Sequence, residues 1–180
     1  MLKAIKEVGL LRILKYLLFG LWDFVFQLLP YSPLRVLWLR LGGAKLGSNC
    51  FVDRIILMNL DRTGLSGLKT GKDCYFGPQV ILDLAGRITL GSQVTVAAGS
   101  IVLSHYSVGY NDHPLIRHYP KTVEHTHLES GSVIGVNSTI LPGITVGQVS
   151  LVAAGSVVNQ NVPDHVLVAG VPSKVKKTLA

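Results

Sequence analysis

The sequence predicts a mainly β protein in which a solenoid, with six residues on each face, follows N-terminal amphipathic helices. Two observations lead to this fold class. Aliphatic residues recur at every sixth position through most of the chain, and aromatic residues are concentrated in the N-terminal segment. A period of six fits neither the 3.6-residue repeat of an α-helix nor the two-residue alternation of a simple strand.

Composition separates the chain into two parts, residues 1–41 and residues 42–180. The 180 residues are 48% hydrophobic but only 7% aromatic, and seven of the 13 aromatic residues lie in the first 38 positions. Residues 1–47 also hold about +5 of the formal net charge of +7. A basic, apolar and aromatic N-terminus favours a membrane surface as partner, and no zinc spacing or RNA-binding motif supports nucleic acid.

Residues 10–29 predict one helix, whose less apolar positions form a narrow stripe on an otherwise apolar cylinder. Pro30 ends it, and Ser32, followed by proline, predicts the N-cap of a second short helix. Twenty helical residues reach about 30 Å, enough to cross a bilayer. However, Asp23 and Gln27 lie well inside the stretch, and a mid-bilayer carboxylate costs about 2.5–3.5 kcal/mol. We expect helices in the membrane interface; a true span, or an apolar face buried on the protein or its oligomer, are the alternatives.

The six-residue repeat predicts which side chains point inward. A chain that turns a corner every six residues places one aliphatic side chain per face inside a narrow prism, with small residues at the corners. Such an interior has little room for aromatic rings, in keeping with their absence after Tyr119. The repeat positions are Leu46, Val52, Thr70, Phe76, Leu82, Leu84, Leu90, Val96, Val102, Ile134, Ile140, Val146, Val152, Val158 and, just beyond, Val162.

The repeated aliphatic-Gly step and the closing VPDHVLVAGVPSKV resemble the hexapeptide-repeat acyltransferases over about residues 30–177. Within them the chain resembles the sugar and antibiotic O-acetyltransferases, and LLPYSPLRVLWLRLGGAKLG resembles the membrane-associated members that act on cell-surface polysaccharides. The resemblance implies a left-handed parallel β-helix, a homotrimer and acetyl-CoA as acyl donor. Val133 departs from the tryptophan that close sugar O-acetyltransferases often carry there, so the wall beside the acceptor or pantetheine differs.

The repeat is interrupted by an extended loop at about residues 104–127, which holds five of the six histidines. Long irregular loops on a regular scaffold are usually functional, and histidine suits general-base catalysis near neutral pH. His105 is the first candidate, because it directly follows a repeat strand and its setting VLSHY resembles the strand-then-His step that supplies the base in the family. His113, in a turn-prone NDHP sequence, is the second. The alternative for the other loop histidines is a solvated loop or a subunit contact.

Asp83 and the histidine cluster suggest two further roles. Asp83 ends a repeat strand one coil before His105, so stacking would bring the two to one cleft. Similar family members use an aspartate at this step to contact the acceptor hydroxyls, whereas a corner aspartate that caps a turn is the alternative. We expect no metal: a zinc site of the related carbonic anhydrase type needs a histidine upstream, and residues 73–82 contain none. Cys50 and Cys74 lack metal-type spacing and predict no disulfide framework.

The family motif also implies where CoA binds. Carried over residue by residue, the thioester end meets backbone at Gly135 and Val136, with Val136 N–H as the oxyanion donor; pantetheine runs along Ala154 and Asn159, and the phosphates meet Lys174 and Lys177. A solubilising tail is the alternative for these lysines.

The predicted function is CoA-dependent O-acetyl transfer to a sugar hydroxyl, on a lipid-linked or surface-polysaccharide precursor at the cytoplasmic face of the membrane. A soluble sugar or antibiotic acceptor, and a catalytically silent membrane-associated scaffold, are the alternatives.

Overall fold

The computed structural model describes residues 10–179. Three helices are α1 (Leu10–Leu28), α2 (Ser32–Leu41) and the short α3 (Leu60–Thr63), with 3-10 turns at Leu65–Gly67 and Pro114–Arg117. The remaining elements are short strands. In chain order these are β1 (Phe51–Val52), β2 (Ile56–Met58), β3 (Leu68–Thr70), β4 (Tyr75–Phe76), β5 (Ile81–Asp83), β6 (Ile88–Leu90), β7 (Thr95–Val96), β8 (Ile101–Val102), β9 (His105–Tyr106), β10 (Thr122–Val123), β11 (Thr126–Leu128), β12 (Val133–Ile134), β13 (Thr139–Ile140), β14 (Thr145–Val146), β15 (Leu151–Val152), β16 (Val157–Val158), β17 (Val166–Ala169) and β18 (Lys174–Thr178).

Three sheets form the faces of a prism. Sheet A contains β3, β6, β11 and β14; sheet B contains β1, β4, β7, β12, β15, β17 and β18; sheet C contains β2, β5, β8, β13 and β16. The chain visits C, A and B in turn, so each strand pairs in parallel with the strand one coil away, for example Thr139 with Ile101. We name the corners by the sheets they join: AB, BC and CA. Among the described strands of sheets A, B and C, β18 is the exception, because it pairs antiparallel to β17.

The interior confirms the six-residue register. Every predicted repeat position is buried, and the five consecutive residues Ile134, Ile140, Val146, Val152 and Val158 are each 0% exposed. Phe76 is also 0% exposed, so the prism does accommodate a ring in one of its coils. Strands of two or three residues form few hydrogen bonds with their neighbours. The burial of one aliphatic side chain per face stabilises each of these short strands by removing apolar surface from water.

Buried serines help the chain turn its corners. Ser100, Ser138 and Ser150 are at most 1% exposed. Their hydroxyls donate to carbonyl oxygens of the next coil, for example Ser138 Oγ to Ala153 O at 2.9 Å and Ser100 Oγ to Gly135 O at 2.7 Å. A buried hydroxyl is costly unless it is bonded, so these bonds also tie successive coils together.

The N-terminal helices pack on the first coils through apolar and polar side chains together. Gln27 Nε2 donates to Ile55 O at 2.8 Å, and the rings of Trp22 and Trp38 stack with centroids 4.3 Å apart. The prediction that Ser32 is an N-cap is wrong: Tyr31 occupies that position, and Ser32 Oγ instead accepts from Val52 N at 2.8 Å. No helix among residues 10–179 is long and apolar enough to cross a membrane.

The opposite face of these helices consists of exposed large apolar side chains. We call it the apolar helix face; its members, each at least 43% exposed, are Leu14, Leu17, Leu18, Leu21, Phe24, Leu28, Tyr31, Leu34, Leu37 and Leu41. Of the predicted stripe, Asp23 and Gln27 are half-buried against the solenoid whereas Tyr16 is 68% exposed, and the broad apolar side has no partner within the described residues.

The extended loop leaves the solenoid at the CA corner. It begins after β8 and returns at β11, so the chain re-enters the repeat at Thr126, one residue before the predicted end of the loop. Inside it, β9 and β10 form a two-stranded antiparallel ribbon that pairs His105 with Val123. This ribbon holds the root of the loop against the scaffold.

Candidate active site

A histidine–aspartate pair lies at the CA corner. His105 Nδ1 lies 2.5 Å from Asp83 Oδ2, and the backbone N–H of His105 donates to the same oxygen at 3.0 Å. Asp83 is 0% exposed, whereas the His105 side chain is 21% exposed. The carboxylate thus fixes the ring through Nδ1, and Nε2 is the nitrogen left for a reacting group.

The surroundings of Asp83 favour its ionised form. Burial raises the pKa of Asp83, but hydrogen bonds from the His105 side chain, the Ser104 backbone and the Asn59 amide together outweigh it, so that the net pKa lies below its ordinary value. Asn59 Nδ2 donates to Asp83 Oδ1 at 2.7 Å, and Ala85 N donates to the same oxygen at 3.2 Å. A buried carboxylate with this many donors is held as an anion.

Ser104 and Asn59 are positioning residues that the sequence analysis missed. Ser104 is 0% exposed. Its hydroxyl bonds the Asp83 carbonyl oxygen and accepts from Gly86 N at 2.8 Å, so it joins the strand that ends at Asp83 to the root of the loop. Ser104 could have been noticed as a small polar residue directly before the candidate base. Nothing in the sequence linked Asn59 to Asp83, which lies 24 positions away.

The structure brings Asp83 and His105 together, as stacking of adjacent coils predicted. It also gives Asp83 an orienting position behind the histidine, with its oxygens occupied by protein donors, rather than an open position toward an acceptor. The predicted contact of Asp83 with acceptor hydroxyls stays a prediction.

Three of the other four loop histidines have local partners. His113 precedes the 3-10 turn Pro114–Arg117, and its Nδ1 accepts from Leu115 N at 3.1 Å. His125 Nδ1 accepts from Arg87 N at 3.2 Å, and His127 contacts Thr89 and lies 3.0 Å from Glu129 Oε1. Of the histidines in the loop, His105 is the one that the described contacts join to a buried carboxylate. Within residues 10–179, no group of three or more potential ligands is arranged to hold a metal ion.

A line of free backbone amides runs along the BC corner. Gly135 N donates to Val152 O and Asn137 N to Ala98 O, but the N–H groups of Ala98, Val136 and Ala154 donate to no acceptor among residues 10–179. Val136 and Ala154 are exposed. A Cβ on Gly135 would lie 2.6 Å from Val152 O, so glycine permits this close stacking. Ala98 belongs to this line and was missed, because nothing in its sequence setting sets it apart.

The predicted CoA residues do not all lie on this corner. Asn159 follows β16 and lies at the CA corner, so sheet C separates it from Ala154. Lys174 and Lys177 lie on β18, exposed along the edge of sheet B, rather than in an irregular tail. In one chain, the predicted pantetheine path over Ala154 and Asn159 is therefore interrupted by a face of the prism.

Val136 and His105 are separated in the same way. Val136 precedes β13 at the BC corner and His105 follows β8 at the CA corner, while β8 and β13 pair side by side. At about 3.3 Å per residue, the width of sheet C places the two groups well over 10 Å apart. One chain by itself does not bring the candidate base and the candidate oxyanion donor to a single carbonyl.

A prism of three parallel sheets with six residues on each face is the architecture of a parallel β-helix. Residues 126–160 match the family model described as the hexapeptide repeat of succinyl-transferase. Residues 126–160 thus carry the hexapeptide repeat, and the chain has the left-handed β-helix fold of solved acetyltransferase structures.

Three relatives illustrate the similarity. A serine acetyltransferase of Buchnera aphidicola is 35% identical over 56% of this chain and 35% of its own length. A galactoside O-acetyltransferase of Lactococcus lactis is 25% identical over 76% of this chain and 63% of its own length. The solved structure of a galactoside acetyltransferase in complex with coenzyme A superposes with a TM-score of 0.79, at 19% identity, over 100% of this chain and 91% of that one. The chain thus spans less than two thirds of the length of the first curated relatives that it matches.

Proposed function

We propose that the protein is a CoA-dependent O-acetyltransferase that transfers the acetyl group of acetyl-CoA to a hydroxyl of a saccharide. The observation that carries the proposal is the His105–Asp83 pair: a half-buried imidazole, held through Nδ1 by a buried anion, presents Nε2 as a base. Family relatives whose names describe acetyl transfer to sugar and serine hydroxyls support the reaction class.

In the proposed reaction, His105 Nε2 takes the proton of the acceptor hydroxyl as its oxygen attacks the thioester carbonyl. The C–O bond forms, the C–S bond breaks, and the proton passes from His105 to the departing thiolate, giving ester and free CoA. The Asp83 carboxylate stabilises the imidazolium that forms between these steps. A free amide such as Val136 N–H is suited to the oxyanion, where one donor is worth about 2.7–4 kcal/mol.

The distance between Val136 and His105 supports a site shared by two copies of the chain. If the BC corner of one protomer lies against the CA corner of its partner, the free amides and the base face one cleft. A closed ring of three copies repeats this contact at every interface, in keeping with the predicted homotrimer. In this arrangement the free amides of Ala98, Val136 and Ala154 on one copy lie beside Asn159 on the CA corner of the neighbouring copy.

We further propose that the apolar helix face lies in the membrane interface, on the cytoplasmic side. Contiguous apolar patches of this kind are rare on soluble monomers and mark interaction sites. Gln27, Ser32 and Arg35 face the protein rather than this apolar surface. Lys15 and the basic surplus of residues 1–47 suit an anionic leaflet. Cys50 and Cys74, stacked in adjacent coils yet free, fit a reducing compartment.

A cavity of about 210 Å³ lies between α1 and the first coil. Its lining includes Tyr16 and Phe19 of α1 and Leu57 and Asn59 of the first coil. Asn59 is also the donor to Asp83 Oδ1, so one side chain borders both the cavity and the pair. Two carboxylates also line this cavity, so a lipid tail does not belong there; the apolar helix face is what favours a lipid-linked saccharide over a soluble sugar or antibiotic.

Vesicle flotation tests the membrane proposal. We expect the full chain to float with vesicles that contain anionic phosphatidylglycerol, and the triple variant Leu17→Ser, Leu18→Ser, Leu21→Ser to remain unbound. Val175→Ser, an exposed apolar position on β18, is the matched control and should float like the wild type. A triple variant that floats like the wild type contradicts the membrane proposal. A wild type that does not bind vesicles, and that is a dimer where the triple variant is a monomer, also contradicts it and shows that a second copy of the chain covers the apolar helix face.

Acetyl-CoA turnover tests the enzymatic proposal. Free thiol released from acetyl-CoA should depend on a saccharide acceptor and fall sharply in His105→Ala, while His118→Ala, an exposed loop histidine, should act like the wild type. CoA binding, measured by calorimetry, should survive in both variants. A chain that binds no CoA and turns over no acetyl-CoA contradicts the proposal and supports the scaffold alternative.

A further inference from the structure

A basic cavity lies on sheet A beside the CA corner. It has a volume of about 640 Å³, and its cationic lining residues are Lys45, Lys69 and Arg87, with Thr63 and Ser66 at its edge. Lys45 and Lys69 form a parallel bridge in adjacent coils, and Lys69 is in register with Thr89 on the next. The three cations are exposed, so they form one open, positively charged surface.

These charges lack an anionic partner within residues 10–179. The ion pairs described there join Arg35 with Asp53, His105 with Asp83 and His127 with Glu129, so the carboxylate that follows β11 on this sheet is already engaged. Coils are stacked about 4.8 Å apart, and like charges directly opposite each other are destabilising. A bound anion would relieve that repulsion.

The cavity and the histidine–aspartate pair share one corner of the prism. Gly67 lies at the cavity and is buried; a Cβ there would lie 3.4 Å from Gly86 O. Gly86 N in turn donates to Ser104 Oγ, next to His105. Arg87 follows Asp83 by four residues, which span no more than about 14 Å. A saccharide of a few units with its hydroxyl at His105 would therefore reach Arg87 and the lysines.

We infer that this basic cavity binds an anionic group of the acceptor, a carboxylate or a phosphate carried on the saccharide near the hydroxyl that is acetylated. The inference rests on the proposed function, because it places the charged part of the acceptor beside the base. Arg87 supplies a planar fork suited to either anion, and the two lysines supply charge without strict geometry.

Direct binding measurements test the inference apart from turnover. The probes are a trimer of galacturonic acid, its neutral counterpart galactotriose, and galactose 1-phosphate, titrated into the full chain at low and high salt. We expect the wild type to bind an anionic probe at least about tenfold more tightly than the neutral one, with the difference shrinking as salt rises. A galacturonate preference identifies the anion as a carboxylate, and a galactose 1-phosphate preference identifies a phosphate.

The variants decide whether this cavity is responsible. Lys69→Gln with Arg87→Gln should lower affinity for the anionic probe by about tenfold or more while leaving CoA binding unchanged, and Lys72→Gln, an exposed lysine at the AB corner, is the matched control. Equal binding of charged and neutral probes, or a double variant that binds like the wild type, overturns the inference. If the anion-binding inference fails but the enzyme still acetylates the neutral trimer, the proposed acetyltransferase function stands. If the anionic probe binds but no acceptor is acetylated, the proposed function is contradicted and the anion-binding cavity stands.

Discussion

The carboxylate of Asp83 holds His105 by two bonds to one oxygen, Oδ2: the ring Nδ1 at 2.5 Å and the backbone N–H at 3.0 Å. The bond from the backbone N–H fixes the main chain that carries the side chain, and the bond from Nδ1 fixes the orientation of the imidazole ring. Asp83 lies at the end of a repeat strand and His105 at the root of an insertion. Their contact joins the rigid scaffold to the irregular loop.

Removal of the base tests the first consequence of this contact. We expect His105→Ala to lower kcat by about 10²–10⁴-fold, the usual contribution of general acid–base catalysis. His113→Ala should change kcat by less than about threefold, because its Nδ1 is engaged within the loop. Steady-state kinetics with acetyl-CoA and a saccharide acceptor give both values, and a larger loss in His113→Ala would exchange the two assignments.

Asp83→Asn separates orientation from binding. The amide keeps the volume of the side chain but removes the charge that holds Nδ1–H, so we expect kcat to fall by about a hundredfold with the KM for acetyl-CoA unchanged. A KM change with unchanged kcat would show instead that Asp83 contacts the substrate.

Acid unfolding should report the ionised Asp83. Burial opposes its charge but bonds from His105, Ser104 and Asn59 outweigh that effect, so the pKa is lower in the folded chain than in the unfolded one. The resulting stabilisation is fully present above the unfolded pKa of about 3.9 and is lost as the pH falls through the folded pKa. In urea unfolding at pH 7, 5 and 3, Asp83→Asn should lose less stability on acidification than wild type; an identical pH dependence would contradict this.

The interior column predicts a steep cost for truncation. Ile140 is 0% exposed and packs between coils, so Ile140→Ala should lower the free energy of unfolding by about 2–5 kcal/mol. Its neighbour Thr139 points outward on the same strand, and Thr139→Ala should cost less than about 1 kcal/mol. Chemical denaturation of both variants measures the difference, and similar losses would show that strand pairing rather than burial dominates.

Cys50 should react as a thiolate at neutral pH. A hydrogen bond from the Cys74 side chain lowers the pKa of Cys50 to about 5, against the opposing effect of burial and with help from Thr70 and the charge of Arg40. The pKa of Cys74 is raised by the same contact and by burial. Iodoacetamide labelling read by mass spectrometry should modify Cys50 first, at a rate nearly constant from pH 6 to about 8. A rate that rises about tenfold per pH unit would mark an ordinary thiol.

The candidate site was predictable in part. His105 stood out because it follows a strand of known register, and Asp83 because it lies one coil earlier at the same step. Ser104, Asn59 and Ala98 did not stand out. Their roles depend on one side chain crossing to another coil, or on an amide left unpaired at a corner, and neither leaves a pattern along the sequence.

The register of the prism, and hence its core, follows from the sequence alone, because each coil repeats the same six-residue contact and every inward position is found by counting. The composition also separates the apolar N-terminal helices from the solenoid. Three features follow only from the packing of the coils: which face of those helices is exposed, the placement of the base and the free amides on different corners, and the grouping of Lys45, Lys69 and Arg87 in one cavity. These relationships arise between coils, where stacking brings together residues some 20 positions apart, and the insertion after Val102 breaks the count that would otherwise predict them.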